Sequence, residues 1–190
     1  GDRLSRCAGG EGGGGSNGQH SADRKNVHSD SRVTGGRACD AAKAQAAIAD
    51  RGVRDLEQAR TYLLNGPMAD YEHHGFGLWA VVEKASDRII GMCGLIKRPN
   101  LDHADLGYAF LPEYFGKGFA FEACTASIAA ASRDFGLPQL LAIVNPDNTP
   151  SRHLLEKLGF RLQEIRVVHA GEPALCIYRC EPGNALPKHT

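Results

Sequence analysis

Apolar and polar positions change their spacing along the chain in a way that predicts both helices and strands. Apolar residues recur at helical spacing from about Asp55 to Leu64, whereas the apolar runs after Gly77 are short and rich in β-formers. The predicted helices cover residues 55–64, 68–74, 120–135 and 149–158, and the predicted strands cover residues 78–82, 89–96, 105–111, 139–144, 161–168 and 174–178. Strands that alternate with helices in this order predict an α/β fold with a mixed sheet and helices on its faces.

Two glycines inside the second predicted strand, Gly91 and Gly94, indicate special backbone geometry. Glycine packs no side chain in a strand, so it marks a bulge or a point where another backbone approaches closely. The continuous apolar run over residues 139–144 is typical of a strand buried on both faces of a sheet.

The N-terminal part of the chain differs from the rest in composition. Eight of the first 18 residues are glycine, and so few apolar side chains cannot offset the entropy cost of ordering the segment. We therefore predict a disordered Gly-rich extension over residues 1–36, a helix-capable segment of uncertain structure over 37–54, a folded domain over 55–180 and a frayed tail over 181–190. No strand is recognisable before residue 55. The sheet would then keep an exposed edge that invites pairing with a second copy of the chain, so a homodimer is one alternative.

Charge and cysteine content narrow the function classes. Lys plus Arg and Asp plus Glu both number 22, so no excess charge favours a nucleic-acid or membrane-surface partner. No apolar run approaches the ~20 residues that span a bilayer, and no signal peptide is recognisable at the start. The six cysteines show neither a CxxC pair nor metal-ligand spacing, which favours reduced thiols, no metal site and a cytoplasmic location.

The stretch from Leu111 to Ala120 has the chemistry of an anion-binding loop. A predicted strand ends at a proline, a loop with Gly116 and Gly118 follows, and a helix begins at once. Free backbone N–H groups at the positive end of a helix attract anions, and glycine lets an anion approach the backbone. Lys117 adds a positive charge. The loop is neither a P-loop nor a dinucleotide fingerprint, and taken alone it is equally consistent with an ordinary strand-to-helix turn.

Two segments together resemble the motifs of the GNAT superfamily of N-acetyltransferases. Residues 112–123 resemble motif A, written (Arg/Gln)-x-x-Gly-x-(Gly/Ala), with Gly118 and Ala120 at its small positions and Phe115 in the Arg/Gln slot. Residues 145–160 resemble motif B, with its Asn-x-x-Ser start and its closing Leu-Gly-Phe. The first segment is most similar to the branch that contains the ribosomal-protein N-terminal acetyltransferases of the RimJ and RimL type.

The resemblance, which covers about residues 55–180, implies a GNAT-type fold and acetyl-CoA as co-substrate. The fold would be α/β (α+β), with a mixed, mostly antiparallel central sheet, helices on both faces and splayed strands that hold acyl-CoA. The amine of a bound acceptor would attack the thioester of acetyl-CoA directly. The resemblance implies three groups of cofactor-binding residues. The backbone of Phe110 and Leu111 would pair with pantetheine. Pyrophosphate would bind to the N–H groups of Gly116, Lys117, Gly118, Phe119 and Ala120, and Asn148 would be a further contact, although it could also be a cap or turn residue.

The same chemistry requires a base for the amine and a proton donor for the CoA thiolate. We favour Asp105 as the base because a strand position is better fixed than a loop. The other candidates are Asp102, His103 and Glu113, and His73 and His74 could line the acceptor cleft or belong to an ordinary surface loop. The motif B helix lacks the tyrosine that many family members use as the acid, so Ser151 is the candidate donor, directly or through water. Ser151 could instead only cap the helix.

Three interpretations of function stay open. The first is an N-acetyltransferase that acts on a ribosomal-protein N-terminus, another peptide, a polyamine-like amine or an aminoglycoside. The second is a degenerate GNAT domain that binds acyl-CoA without catalysis, which the unrecognised N-terminal strand favours. The third is an unrelated α/β fold that binds phosphate through the turn at Gly116 and Gly118.

Overall fold

The helices and strands after residue 55 follow the predicted order. The computed structural model describes residues 27–30, 56–168 and 170–185. Within these ranges the strands are β1 (Val27–Asp30), β2 (Leu78–Glu83), β3 (Arg88–Ile96), β4 (Asp105–Phe110), β5 (Leu140–Val144), β6 (Arg161–Arg166) and β7 (Leu175–Cys180). The helices are α1 (Leu56–Asn65), α2 (Pro67–His74), α3 (Phe119–Arg133), α4 (Thr149–Lys157) and α5 (Pro182–Ala185), and a short 3₁₀ turn covers Pro112–Tyr114.

The strands form one sheet in the order β1-β2-β3-β4-β5-β7-β6. Neighbouring strands are antiparallel except β4 and β5, which run parallel. The connection between these two strands contains α3, because a parallel pair needs a crossover of about a dozen residues or more. This mixed, mostly antiparallel sheet flanked by helices confirms the predicted fold class.

β1 corrects the prediction that no strand precedes residue 55. It pairs with β2 from Val27 opposite Glu83 to Asp30 opposite Ala80, so it covers the edge of β2 that the sequence left exposed. The segment Val-His-Ser-Asp escaped prediction because it is short and has no alternating apolar pattern, whereas the pairing that places it in the sheet is made by backbone hydrogen bonds.

The other terminal predictions lie mostly outside the described residues. These are the helix-capable segment within 37–54, the remainder of the Gly-rich extension, and residues 186–190. α5 shows that the tail predicted to fray begins with one helical turn. The domain limits at residues 55 and 180 stay predictions. Among the described helices, none is both long enough and apolar enough to cross a membrane.

α3 packs against one face of the sheet through small side chains. Its buried residues are Ala123, Cys124, Ala126, Ser127, Ile128, Ala130 and Ala131. Such residues let a helix approach a sheet closely, and Cys93 of β3 contacts them: its Sγ atom lies 3.7 Å from Cys124 Sγ and 3.3 Å from Ser127 Oγ. Cys93, Cys124 and Cys176 are free and buried, where they pack as small apolar side chains.

Both alternatives for the glycines of β3 are confirmed. Val81 pairs with Gly91, and the next residue, Val82, pairs with Ile89. Ile90, which lies between Gly91 and Ile89, is therefore the extra residue of a bulge. A Cβ atom at Gly91 would overlap the Ala109 carbonyl oxygen, and one at Gly94 would overlap the carbonyl oxygen of the residue that precedes β2. Only glycine therefore lets the neighbouring backbones lie this close.

We expect Gly94→Ala to lower the free energy of unfolding by about 2 kcal/mol or more, because the added methyl group meets rigid backbone and forces it to shift. Urea denaturation measures the change. Gly183→Ala is the matched control, since the nearest atom to its added Cβ is Ser132 Oγ at 4.0 Å. Equal stability of the two variants would contradict the close approach of the backbones at Gly94.

Candidate active site

β4 and β5 part after a single point of contact. Their parallel ladder pairs only Asp105 with Leu141, although β4 continues to Phe110 and β5 to Val144. The two strands therefore diverge toward their carboxyl ends and leave a wedge-shaped gap in the sheet. This gap is the splay that the motif resemblance implied.

A cavity of about 540 Å³ occupies the gap. It is lined by Leu78, Ile96, Arg98, Asp105, Leu106, Gly107, Tyr108, Ala142, Ile143, Val144, Asn145, Asn148, Ser151, Leu155, Glu172 and Leu175. Successive residues of a strand point to opposite faces of a sheet, and consecutive residues of both β4 and β5 line this cavity. The cavity is therefore accessible to groups from both faces of the sheet.

The predicted pyrophosphate loop leads from the end of β4 into α3. Gly116 and Gly118 have φ angles of 71° and 86°, in the left-handed region that favours glycine. Gly118 is the N-cap residue of α3 and provides no side-chain cap for it. The N–H groups of the first helical turn therefore receive no cap from the N-cap side chain, and they lie at the positive end of the helix dipole.

The charged and aromatic residues of the loop lie at its surface. Lys117 Nζ is 5.4 Å from the centre of the Tyr114 ring, a distance that allows a cation–π contact. Phe115, in the Arg/Gln slot of motif A, is 60% exposed. Both side chains are thus accessible next to the uncapped helix end.

The backbone at the end of β4 distinguishes the two predicted pantetheine contacts. The Leu111 N–H donates a hydrogen bond to the Ile90 carbonyl oxygen at 2.9 Å, so this N–H faces β3. Alternate residues of a strand direct their backbone polar groups to opposite neighbours. Phe110 therefore presents its N–H and C=O to the gap, whereas Leu111 does not.

Asp105 is a carboxylate that lines the cavity and is almost completely buried. Arg98 Nε donates hydrogen bonds to both of its oxygens, at 3.0 Å and 3.2 Å. Burial raises the pKa of Asp105 to about 6, because a charged carboxylate loses hydration there, and the Arg98 guanidinium acts in the opposite direction. The carboxyl group thus titrates close to neutral pH, as suits a general base.

The other candidates for the base do not line this cavity. Asp102 and Glu113 are exposed. His103 is half-buried and lies outside the cavity. His73 and His74, the candidates for the acceptor cleft, do not line this cavity either. His73 Nδ1 lies 2.7 Å from the Ala69 carbonyl oxygen within its own helix, and the rings of His74 and Phe76 stack at 5.9 Å. Sequence reasoning therefore chose, in Asp105, the one predicted carboxylate that the structure brings into the cavity.

Asn148 caps α4. Its Oδ1 accepts a hydrogen bond from the Ser151 N–H at 3.1 Å, so the alternative in which the Ser151 side chain caps the helix is wrong. Both residues line the cavity, and Ser151 lies in the first turn of α4, beside the gap.

Three cavity residues were missed from the sequence. Tyr108 reaches from β4 to α4, where its hydroxyl donates to the Ser151 carbonyl oxygen at 3.3 Å. Arg98 follows β3, and Glu172 lies in the turn between β6 and β7. No local pattern marks them, because their partners lie on other elements. In the described part of the chain, no cluster of three or more His, Cys, Asp or Glu residues could hold a metal ion.

Comparison with known proteins places this geometry in a family. The family model of the acetyltransferase (GNAT) domain matches residues 25–161. The match begins just before β1 and therefore includes the strand that sequence patterning did not reveal.

Similar proteins include enzymes that act on ribosomal proteins. The chain is 33% identical over 105 residues to the ribosomal protein uS5-alanine N-acetyltransferase of Escherichia coli K12, a match over 54% of this chain and 53% of that enzyme. More generally, the chain spans between 48% and 64% of the length of the curated relatives it matches.

Solved structures share the fold. An acetyltransferase from Agrobacterium tumefaciens superposes with a TM-score of 0.67 at 20% identity, over 85% of this chain and 94% of that one. The microcin C7 self-immunity acetyltransferase MccE, solved in complex with acetyl-CoA and AMP, gives 0.64 at 14% identity over 83% and 93%. Ribosomal-protein acetyltransferases occur among the relatives and the structures alike, as the motifs implied. With the family model matched from β1 to the start of β6, the chain belongs to the GNAT acetyltransferase family.

Proposed function

We propose that the protein is an N-acetyltransferase that moves the acetyl group of acetyl-CoA directly to a primary amine. The observation that carries the proposal is the wedge between β4 and β5, which joins an uncapped helix end to a cavity with a buried carboxylate. A phosphate-binding loop alone would not need this gap. The acceptor amine belongs to a protein N-terminus or to a small molecule.

The cofactor would bind along the open end of the wedge. Backbone N–H groups from Gly116 to Ala120 would hold the pyrophosphate, with Lys117 as an additional positive charge. The pantetheine arm would pair with the backbone of Phe110, which faces the gap, and Asn148 would contact it from α4. The thioester would then lie in the cavity, where the Phe110 N–H can stabilise the negative charge that develops on the carbonyl oxygen.

The transfer needs three proton movements. Asp105, directly or through a water molecule, would take a proton from the acceptor ammonium group. The neutral amine nitrogen then forms a bond with the thioester carbon, and the C–S bond breaks with its electrons on sulfur, while the nitrogen releases its second proton to solvent and becomes a neutral amide. A donor at the first turn of α4, where Ser151 lies, returns a proton to the thiolate.

The degenerate, non-catalytic alternative loses its main support. It depended on a missing N-terminal strand and on the lack of a tyrosine in the motif B helix; β1 occupies that edge of the sheet, so the first of these supports is gone. A buried carboxyl group with a pKa of about 6 inside the gap is also costly to keep unless it has a use.

We expect Gly118→Glu to abolish acetyl-CoA binding in isothermal titration calorimetry, because the new carboxylate would repel the pyrophosphate at the end of α3. Gly136→Glu is the matched control. Gly136 also has a positive φ angle, 59°, and free space around it, and it lies beyond the other end of α3. The control thus carries the same added charge and a similar backbone strain, and should bind as the wild type does.

If the folded wild-type protein binds no acetyl-CoA, the proposed function fails. If both glutamate variants lose binding equally, the loss reflects damage to the helix, and the pyrophosphate site is not where we place it.

We expect kcat/KM to fall as the pH drops below about 6, because Asp105 accepts a proton only when it is ionised. Asp105→Asn should remove this acidic limb and lower kcat/KM about 100-fold, a usual contribution of general-base catalysis. The measurement is thiol release with the best acceptor from a panel of N-terminal peptides, polyamines and aminoglycosides.

Asp102→Asn is the control for the base, because Asp102 is exposed and does not line the cavity. An acidic limb that persists in Asp105→Asn would assign the titration to another group and remove Asp105 from the mechanism.

A further inference from the structure

Tyr108 brings a phenol hydroxyl to the first turn of α4, a helix that has no tyrosine of its own. It extends from β4 on the face packed by α3, lines the cavity and reaches the first turn of α4. There its hydroxyl donates to the Ser151 carbonyl oxygen at 3.3 Å. This distance is longer than a usual O–H···O bond, so little is lost when the hydroxyl turns toward another acceptor.

We propose that Tyr108, and not the Ser151 hydroxyl, is the general acid that protonates the departing CoA thiolate. This step rests on the proposed acetyl transfer. As the C–S bond breaks, the electron pair stays on sulfur and takes the phenolic proton, which yields CoA thiol and a tyrosinate. The proton taken by Asp105 and the second proton lost by the acetylated nitrogen both return to solvent, and water restores the tyrosine proton after the products leave.

Acid strength separates the two candidate donors. An ordinary thiol has a pKa of about 8.5 and an ordinary phenol about 10, whereas an alkyl hydroxyl is nearer to water, about 15.7. Proton transfer from tyrosine to a thiolate is therefore only slightly uphill, and transfer from serine is far uphill. Catalysis by proton transfer is most effective when donor and acceptor are close in acidity.

The surroundings of Tyr108 keep its phenol protonated until the thiolate forms. Burial raises the pKa of Tyr108 well above its usual value; the hydrogen bond to Ser151 acts in the opposite direction, and the nearby thiols of Cys124 and Cys93 add to the rise. Tyr108 is thus neutral at every working pH. A CoA thiolate that loses hydration between the strands would become a stronger base for the same physical reason.

The Ser151 carbonyl oxygen then serves to orient the donor. It holds the hydroxyl of Tyr108 at the edge of the gap, between the strand and α4. Because the acceptor is a backbone atom, this orientation does not depend on the Ser151 side chain.

The test compares two acyl donors that differ only in the basicity of the leaving group, acetyl-CoA and its selenoester analogue acetyl-seleno-CoA. A selenolate is a much weaker base than a thiolate and leaves without an acid. For Tyr108→Phe we expect kcat with acetyl-CoA to fall about 100-fold, an unchanged Kd for acetyl-CoA, and a loss with the selenoester of no more than about threefold. The donor dependence is the signature of an acid, since lost packing would slow both donors alike.

Tyr178→Phe is the matched control for packing. The Tyr178 hydroxyl also contacts α4, since it donates to Glu156 Oε1 at 3.0 Å and accepts from Arg152 Nε at 3.2 Å, but it does not line the cavity. This variant should show the same ratio of kcat values for the two donors as the wild type.

Two results would overturn the assignment of Tyr108 while the acetyltransferase proposal stands: an equal loss with both donors in Tyr108→Phe, or a donor-dependent loss in Ser151→Ala that Tyr108→Phe lacks. If the wild-type protein binds acetyl-CoA but transfers no acetyl group to any amine, the proposed function itself is overturned, and the acid step falls with it.

Discussion

The structure depends on one constraint: β4 and β5 share a sheet but are allowed only one ladder pair, Asp105 with Leu141. Parting the strands leaves backbone N–H and C=O groups of both edges without partners from the sheet, and such groups need hydrogen bonds from another source. The amides of a pantetheine arm can supply them. The same parting opens the cavity and brings it beside the uncapped start of α3. The loss of backbone hydrogen bonds between β4 and β5 and the capacity to bind a cofactor therefore have the same cause.

The gap between β4 and β5 is closed where Asp105 pairs with Leu141 and open toward the carboxyl ends of the two strands. α3 approaches the sheet closely because its inner side is made of small residues such as Ala123, Ala130 and Ala131, so its start is held at the end of β4. On the opposite side of β4, the glycines of β3 let the neighbouring backbones approach closely. The continuous ladder from β1 to β4 then acts as a rigid wall for the wedge, and the β5–β7–β6 ladder forms the other wall.

Short sequence patterns predicted those parts of the structure that depend on residues close together in the chain. The hairpins, the loop with Gly116 and Gly118, and the special geometry at Gly91 and Gly94 all follow from short-range backbone preferences, and the structure has them. Asp105 was favoured as the candidate base because a strand fixes its position better than a loop would. β1 was missed because four residues with little apolar pattern are held by backbone pairing to β2. Tyr108 was missed because its partner, Ser151, lies 43 residues away, and only the folded sheet brings β4 and α4 together.

The alternation of β4 also suggests how one strand serves both ends of the reaction. Asp105 and Tyr108 are three residues apart, so their side chains project from opposite faces of the sheet. Tyr108 packs on the α3 side, where the cofactor would enter, and Asp105 projects to the other side. An acyl group held in the gap would lie between an acid on the cofactor side and a base on the acceptor side. Asp105 is buried and Tyr108 is partly buried. The loss of hydration raises the pKa of both groups, which leaves the carboxyl near neutrality and the phenol protonated. Under the proposed function, Tyr108 acts as the acid and Asp105 as the base for two reasons. They project from opposite faces of β4, and a phenol is a much weaker acid than a carboxyl group.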